Sequence, residues 1–246
     1  MLGLINFTHT DPLYEAFEDR RKVLRETPKK ILESLLSGSL QCGMISLFEY
    51  YDHMDVLELV ESATIHSTGG TMSTLLVSNR SVLEEPLKIA VTEHTRTTAV
   101  YLELILRKMG IRYSLTWSSK REAHDLLKEG DYALVIGDEA LRVYGTSLRI
   151  IWDIGFQFRQ LFSRMPVFSV TVKSKGTNCD SEIDSLNRAV KESWKFVDGC
   201  ISEDSRRLSI PPPILERYFG TIRYDFSSGV SDTVSFLGKY SRSQDS

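Results

Sequence analysis

Three short, hydroxyl-rich segments of this chain carry side chains that could bind an anion. They are Thr8–Thr10, which contains His9, then Thr71–Ser73, and then Thr95–Thr98, which contains Arg96. Hydroxyl groups donate hydrogen bonds to a carboxylate, and a cation adds charge-assisted bonds worth about 1.5–3 kcal/mol net. The sequence therefore predicts a polar site for a small, anionic organic molecule.

The segment Thr95–Thr98 is the strongest of these anion-binding candidates. It directly precedes a predicted helix, Ala99–Met109, which Gly110 ends. The free N–H groups at a helix N-terminus favour negative charge. The alternative is that Thr95 or Thr97 only caps the helix, as threonine commonly does.

Histidines and carboxylates near predicted strand ends are further candidates. His9 could be an acid, a base or a hydrogen-bond donor to the ligand, or simply a hydrogen-bonded turn residue. His66 and His94 also lie near predicted loop tips. Asp138 could contact the ligand or cap the next turn, and Glu49 could stabilise a cation or face solvent.

The familiar signatures of metal and cofactor sites are missing from the sequence. It contains no H-E-x-x-H, no paired histidines at metal-ligand spacing and no Asp-rich calcium loop. A P-loop, a G-x-G-x-x-G segment and a G-x-S-x-G segment are also absent. We therefore do not expect a metal site.

Short apolar strands alternate with helical segments along the chain, and these elements would position the polar segments. This order predicts an α/β protein with a parallel or mixed sheet and helices on both faces. The predicted strands are Leu2–Phe7, Cys42–Leu47, Met72–Ser78, Lys88–Val91, Asp131–Ile136 and Val167–Val172. Ligands of such sheets bind beyond the carboxyl ends of the strands.

The clearest helix begins after Thr27, which is a typical N-cap, with Pro28 at its first position. We expect it to bury one apolar face and to stop at Gly38. Further helices are predicted at Ile154–Phe162 and Asp180–Asp198. Charged segments at 84–86 and 173–176 predict two crossings, and therefore a lobe 1 of residues 1–83 plus 174–246 and a lobe 2 of residues 84–173.

Composition excludes several function classes. The net charge of 246 residues is -3, so a nucleic-acid partner is not predicted. No stretch approaches the about 20 apolar residues of a membrane helix, and no signal-peptide pattern is present. The three cysteines are odd in number and lack C-x-x-C spacing, which is typical of reduced thiols. We expect a soluble, cytoplasmic protein and leave its oligomeric state open.

Taken together, the polar segments resemble those of the chorismate dehydratases of the futalosine route to menaquinone. The similarity covers nearly the whole chain, in order and spacing. The matching segments are Thr10 with Pro12 to Tyr14, Glu49-Tyr50, Ser73 to Ser78, Thr95 to Thr98, Leu134 to Leu141, Trp152 to Gly155, Met165 to Phe168, Tyr218-Phe219 and Ile222 to Tyr224.

The resemblance implies a type II periplasmic-binding-protein-like fold: two lobes of mixed sheets with flanking helices, and a cleft between them. It also implies removal of water from chorismate to give 3-[(1-carboxyvinyl)oxy]benzoate, without a cofactor. His9 and Ser73 are then the expected catalytic residues. The expected substrate-binding residues are Thr10, Glu49, Thr71, Thr95, Arg96, Thr97, Thr98 and Asp138.

The chain departs from the family pattern at four positions. It has His9 where the family has Asn, Met72 where an Arg is usual, Gln41 in place of Asp, and Arg164 in place of Gly. Asn and His both donate hydrogen bonds, but only His titrates near neutrality. Two alternatives stay open: a related enzyme for a different cyclic acid, and a non-catalytic cytosolic binding protein for a small anionic metabolite.

Overall fold

The chain forms two compact units. The computed structural model describes residues 1–93 and 95–242. Unit 1 consists of Met1–His66, Val167–Ser202 and the described part of Arg223–Ser246; unit 2 consists of Ser67–Pro166 and Glu203–Ile222. The chain therefore passes from one unit to the other four times.

Eleven strands are formed by the described residues. In chain order they are β1 (Leu2–Ile5), β2 (Val23–Glu26), β3 (Cys42–Ser46), β4 (Leu57–Ser67), β5 (Thr74–Ser78), β6 (Leu87–Thr92), β7 (Tyr113–Ser118), β8 (Tyr132–Ile136), β9 (Arg149–Asp153), β10 (Val167–Ser174) and β11 (Ile222–Arg223).

The same residues form eleven α-helices, together with three short 3₁₀ turns. The helices are α1 (Asp11–Glu15), α2 (Pro28–Leu36), α3 (Leu47–Asp52), α4 (Arg96–Met109), α5 (Ala123–Leu126), α6 (Gly137–Val143), α7 (Ile154–Phe162), α8 (Asp180–Glu192), α9 (Val197–Leu208), α10 (Pro212–Thr221) and α11 (Ser228–Arg242). None of them is long and apolar enough to span a membrane.

Unit 1 is built on a six-stranded mixed sheet. Its strand order is β11-β4-β10-β3-β1-β2. β1 is parallel to β2 and β3, whereas β10 is antiparallel to β3 and β4. Gly3 and Gly43 face each other across β1 and β3, and a Cβ on Gly3 would lie only 2.8 Å from Ile31 Cγ2. The absence of a side chain there lets α2 pack closely on the sheet.

Unit 2 is built on a five-stranded mixed sheet. Its strand order is β7-β6-β8-β5-β9. β6 is parallel to β7 and β8, whereas β5 is antiparallel to β8 and β9. β8 is flanked by strands on both sides, and its residues Tyr132 to Val135 are fully buried. This continuous apolar run is typical of a central strand.

The helix predicted after Thr27 is confirmed as α2. The Thr27 side chain accepts a hydrogen bond from the Lys30 N–H at 3.4 Å, and Gly38 has a φ of +76°. The sequence spacing predicts an apolar face of Ile31, Leu32, Leu35 and Leu36, and the buried face is narrower than this. Ile31, Leu32 and Leu35 are buried, but Leu36 is 47% exposed because it points away from the sheet.

Two predicted helix boundaries are wrong. α4 begins at Arg96 rather than Ala99, so three residues expected in a turn form its first turn. The helix predicted over Asp180–Asp198 ends at Glu192, and a 3₁₀ turn at Ser193–Phe196 separates it from the next helix. Ser193 donates to the Val190 carbonyl, a local bond that competes with helix continuation.

The units divide at different positions from the predicted lobes. β5 pairs with β8 and β9, which brings residues 74–78 into unit 2 rather than lobe 1. β10 pairs with β3 and β4, which brings residues 167–174 into unit 1 rather than lobe 2. Strand pairing is non-local, so charged segments in the sequence could not locate these boundaries.

Candidate functional site

One edge of the unit 1 sheet carries the predicted site residues of that unit. β1 and β3 are parallel and end at this edge, where His9, Thr10 and Glu49 follow them. β10 begins there, since Ser169 pairs with Ser46. β4 ends there with His66 opposite Val167.

Thr10 stabilises the turn after β1 from within. The residue is fully buried, and its hydroxyl lies 2.5 Å from the Ile5 carbonyl oxygen and 2.8 Å from that of Phe7. Arg25 donates to the same hydroxyl at 3.4 Å and forms an ion pair with Asp11. These contacts hold the turn, so any role of Thr10 in binding is exerted through the position of its neighbours.

His9 is half-buried, and its backbone is anchored by the C-terminal part of unit 1. The hydroxyl of Tyr224 donates to the His9 carbonyl at 2.7 Å. The imidazole ring lies 5.6 Å from the ring of Phe7, centroid to centroid. The residue is therefore anchored at the end of β1.

Glu49 and His66 lie at the same edge with different surroundings. Glu49 is half-buried in the first turn of α3, and its carbonyl accepts from His53 Nδ1 at 2.9 Å. His66 is 2% exposed, with Nδ1 3.0 Å from the Thr64 hydroxyl and Nε2 3.8 Å from Asp225 Oδ1. Burial lowers the pKa of His66, and the charge of Asp225 only partly opposes this. His66 is therefore a neutral imidazole near pH 7.

One edge of the unit 2 sheet collects all the predicted site residues of that unit. β6 and β8 are parallel and end at this edge, with Val91 opposite Leu134. β5 begins there, since Thr74 pairs with Ile136. The loop Thr71–Ser73, the segment Thr95–Thr98 and Asp138 thus lie at the ends of three adjacent strands, which are about 4.8 Å apart.

A half-buried carboxylate, that of Asp153, holds the loop Thr71–Ser73. Oδ2 of Asp153 accepts from the N–H groups of Thr71 at 2.8 Å and Met72 at 2.7 Å. Oδ1 accepts from the Thr71 hydroxyl at 3.1 Å and from the Phe156 N–H at 3.0 Å. Met72 adopts a left-handed backbone with a φ of 57°.

Ser73 and Asp138 are joined through the start of α6. The Ser73 carbonyl accepts from the Gly137 N–H at 2.8 Å. The Asp138 carboxylate is paired with Arg207 at 3.1 Å, and Arg207 also pairs with the buried Asp204 at 2.7 Å. An ion pair with Arg207 therefore fixes the position of the Asp138 carboxylate in the first turn of α6.

The segment Thr95–Thr98 opens α4, a helix of 14 residues. Thr95 is the N-cap residue, yet its side chain makes no capping hydrogen bond. Thr95, Thr97 and Thr98 are buried, whereas Arg96 is exposed. The cap alternative is thus wrong for Thr95. The neighbouring His94 lies outside the described residues.

Asp153 is the residue of this edge that sequence reasoning missed as a functional candidate. It precedes α7 and caps it, and an Asp directly before a helix is a recognisable sequence signal. That signal indicates only the bond to Phe156.

Among residues 1–93 and 95–242, no cluster of three or more His, Cys, Asp or Glu side chains is suited to hold a metal ion.

Solved structures of similar fold cover almost the whole chain. A protein from Archaeoglobus fulgidus aligns with a TM-score of 0.75 at 11% identity, covering 99% of this chain and 97% of that one. The alkanesulfonate-binding protein SsuA from Xanthomonas axonopodis pv. citri, bound to MOPS, aligns with a TM-score of 0.70 at 18% identity, covering 98% and 92%. A Candida albicans protein described as having the generic periplasmic binding protein fold aligns at 0.66 and 11% identity, covering 98% and 89%. The predicted two-lobed, type II binding-protein-like fold is confirmed.

Sequence comparison points to one family. The chorismate dehydratase of Thermus thermophilus is 23% identical over 245 residues, covering 91% of this chain and 88% of that protein. A family model described as menaquinone biosynthesis matches residues 1–242. Because that match spans both units and every predicted site residue, the chain belongs to the menaquinone biosynthesis family.

Proposed function

We propose that this protein is a chorismate dehydratase, which removes water from chorismate to give 3-[(1-carboxyvinyl)oxy]benzoate. The observation that carries the proposal is the similarity to the Thermus thermophilus enzyme over 91% of this chain. Membership in the menaquinone biosynthesis family supports it independently.

The reaction asks for positioning and proton transfer only. A base removes a hydrogen from one ring carbon of chorismate, and the bond between the adjacent ring carbon and its hydroxyl oxygen breaks. The hydroxide leaves as water when it accepts a proton. The ring becomes aromatic, which drives the reaction. The protein must hold the two substrate carboxylates, assist removal of the proton and help the hydroxide to leave.

The first turn of α4 is suited to bind one substrate carboxylate. Thr95, Thr97 and Thr98 have buried hydroxyl groups at the N-terminus of a 14-residue helix, and Arg96 adds a positive charge. The Thr95 side chain makes no capping bond within its own helix. Each charge-assisted hydrogen bond to the carboxylate would contribute about 1.5–3 kcal/mol.

His9 and Ser73 are the groups that we assign to the chemistry. The imidazole of His9 is a group that can accept or donate a proton in the turnover. Ser73 offers a hydroxyl that can donate a hydrogen bond to the departing oxygen. Glu49, Thr71 and Asp138 complete the proposed binding set, and Thr10 contributes to it by holding the turn that carries His9.

Incubation of the purified protein with chorismate, followed by mass spectrometry, tests the proposal. We expect a product lighter by one water that retains the enolpyruvyl group. Ser73→Ala should abolish most of this conversion, whereas Thr27→Ala, which removes only the α2 cap, should leave it intact. Unchanged chorismate would reject the enzymatic proposal, and chorismate retained unchanged on the protein would favour a binding role.

A further inference from the structure

We propose that Asp153 is a positioning residue that sets the conformation of the loop Thr71–Ser73 and thereby aims Ser73. This inference rests on the proposed function, in which Thr71 and Ser73 contact the substrate. Asp153 itself need not touch the substrate, because its carboxylate is occupied by protein donors.

The carboxylate has four donors within hydrogen-bond distance. Two of them, the consecutive N–H groups of Thr71 and Met72, converge on Oδ2 at 2.8 and 2.7 Å. The Thr71 hydroxyl donates to Oδ1, so its bond with the Thr74 hydroxyl at 2.5 Å must be donated by Thr74. A chain of defined hydrogen bonds therefore runs from Asp153 into the first residue of β5.

The backbone that these bonds stabilise is an unfavourable one for its sequence. Met72 has a φ of 57°, a left-handed conformation that side chains other than Gly, Asn and Asp rarely adopt. In that conformation the two N–H groups point at one oxygen. Without a single acceptor for both, Met72 would relax to a negative φ and Ser73, its neighbour, would rotate.

Close packing restricts the loop from its other side. A Cβ on Gly155 would lie 2.3 Å from Thr71 Cγ2, and a Cβ on Gly70 would lie 3.1 Å from Asp153 Oδ2. The two glycines thus leave room for Thr71 and for the carboxylate, respectively. The Ser73 carbonyl is in turn tied to Gly137 at 2.8 Å.

Asp153→Asn separates the two roles of this side chain, which are to cap α7 and to hold the loop Thr71–Ser73. An asparagine has one oxygen, which can still cap α7 by accepting from Phe156. Its NH₂ group would then face the N–H groups of Thr71 and Met72, where donors oppose donors. With its oxygen at the Oδ1 position, the asparagine keeps the helix cap and the bond from the Thr71 hydroxyl, and it loses the two backbone bonds to the loop, in a side chain of nearly the same shape.

We expect Asp153→Asn to lower kcat for chorismate about 100-fold, the effect of a misplacement near 1 Å, with little change in KM. Amide hydrogen exchange of Thr71 and Met72, followed by NMR, should accelerate about tenfold or more as the bonds to a charged acceptor are lost. β7 is the outermost strand on the side of the sheet opposite to β9, and its amides should keep their exchange rates.

Gly155→Ala is the second variant, because it displaces Thr71 without altering the carboxylate. Alanine favours a helix over glycine, so α7 itself should not weaken, yet the loop must shift. We expect kcat to fall in this variant as well. Thr27→Ala is the matched control, since it removes a helix cap that holds no loop, and its kcat should equal that of the parent.

Unaltered exchange at Thr71 and Met72 in Asp153→Asn would overturn the proposal. Faster exchange with a parental kcat would also overturn it, because Ser73 would then not depend on the loop. If the parent protein fails to convert chorismate, the proposed function fails separately. Accelerated exchange in both variants would still support the positioning role in that case.

Discussion

The turn after β1 in unit 1 and the loop before β5 in unit 2 carry the two proposed catalytic residues, and they are held in different ways. In the turn, a neutral hydroxyl of Thr10 lies 2.5 and 2.8 Å from two carbonyl oxygens. In the loop, the Asp153 carboxylate accepts two N–H groups at 2.8 and 2.7 Å.

The difference follows from the backbone conformation at each place. The turn after β1 is a 3₁₀ turn followed directly by α1, and Pro12 suits the first turn of that helix, so little strain has to be offset. The loop contains a left-handed Met72. A hydrogen bond to a charged group contributes about 1.5–3 kcal/mol, against about 0.5–1.5 kcal/mol for a neutral one. The charged hydrogen-bonding group therefore lies in the loop before β5, whose backbone conformation is the less favourable of the two.

Replacing His9 should have the largest effect on turnover and would show whether the turn contributes chemistry at all. We expect His9→Ala to lower kcat for chorismate about 10²–10⁴-fold, the contribution of a positioned acid or base. His9→Asn, which restores the residue of the resembling family, should lose less. Steady-state rates measure both variants. Turnover unchanged in His9→Ala would contradict the catalytic role.

Removing the two threonine hydroxyls compares the two segments directly. Thr10→Val removes the hydroxyl that bonds the Ile5 carbonyl and leaves the Phe7 carbonyl only the Thr10 N–H at 2.9 Å, so the free energy of unfolding should fall by about 1–3 kcal/mol. Thr71→Val should cost less, because the backbone N–H groups at 71 and 72 still bind Asp153. Urea denaturation of both variants measures the difference. If Thr71→Val lowered the free energy of unfolding as much as Thr10→Val or more, the bonds of the Asp153 carboxylate to the backbone would not be the main interaction that stabilises the loop.

Tyr224→Phe tests how firmly the backbone of His9 needs its anchor. It removes the 2.7 Å hydrogen bond from the Tyr224 hydroxyl to the His9 carbonyl and keeps the ring. We expect a loss of about 0.5–1.5 kcal/mol in the free energy of unfolding and a small fall in kcat. If kcat fell as far as in His9→Ala, the anchor would matter as much as the imidazole.

The smallest effect concerns pH and unit 1. Burial lowers the pKa of His66 below its ordinary value of 6.5. As the pH falls through that value, the unfolded chain binds a proton that the folded chain does not, so the free energy of unfolding decreases. His66→Asn should lessen this acid-side decrease in denaturation measured between about pH 7 and 5. An identical pH slope in the variant would show that His66 is not responsible.

Local features of the chain were predictable because they depend on neighbouring residues alone. α2 has its N-cap at Thr27, its proline at the first position and its left-handed stop at Gly38, all within one short segment. The polar segments at the ends of β1, β6 and β8 were likewise visible, since each directly follows its strand in sequence.

The longest strand was missed for the opposite reason. β4 spans 11 residues, but it mixes buried and half-buried positions without a clean alternation. Its partners, β10 and β11, come more than a hundred residues later, so only their pairing makes it a strand. The boundaries of the two units follow from the same non-local pairing.

By itself the sequence determined the alternation of strands and helices, the hydroxyl-rich segments at strand ends and the family to which the chain belongs. Only the tertiary structure decided how those segments are held. Asp153 shows why. The Phe156 N–H that it caps in α7 is three residues away in sequence, whereas the Thr71 N–H that it also binds is 82 positions away. A hydrogen bond depends on distance in space, and the pairing of β5 with β9 is what brings these two residues together.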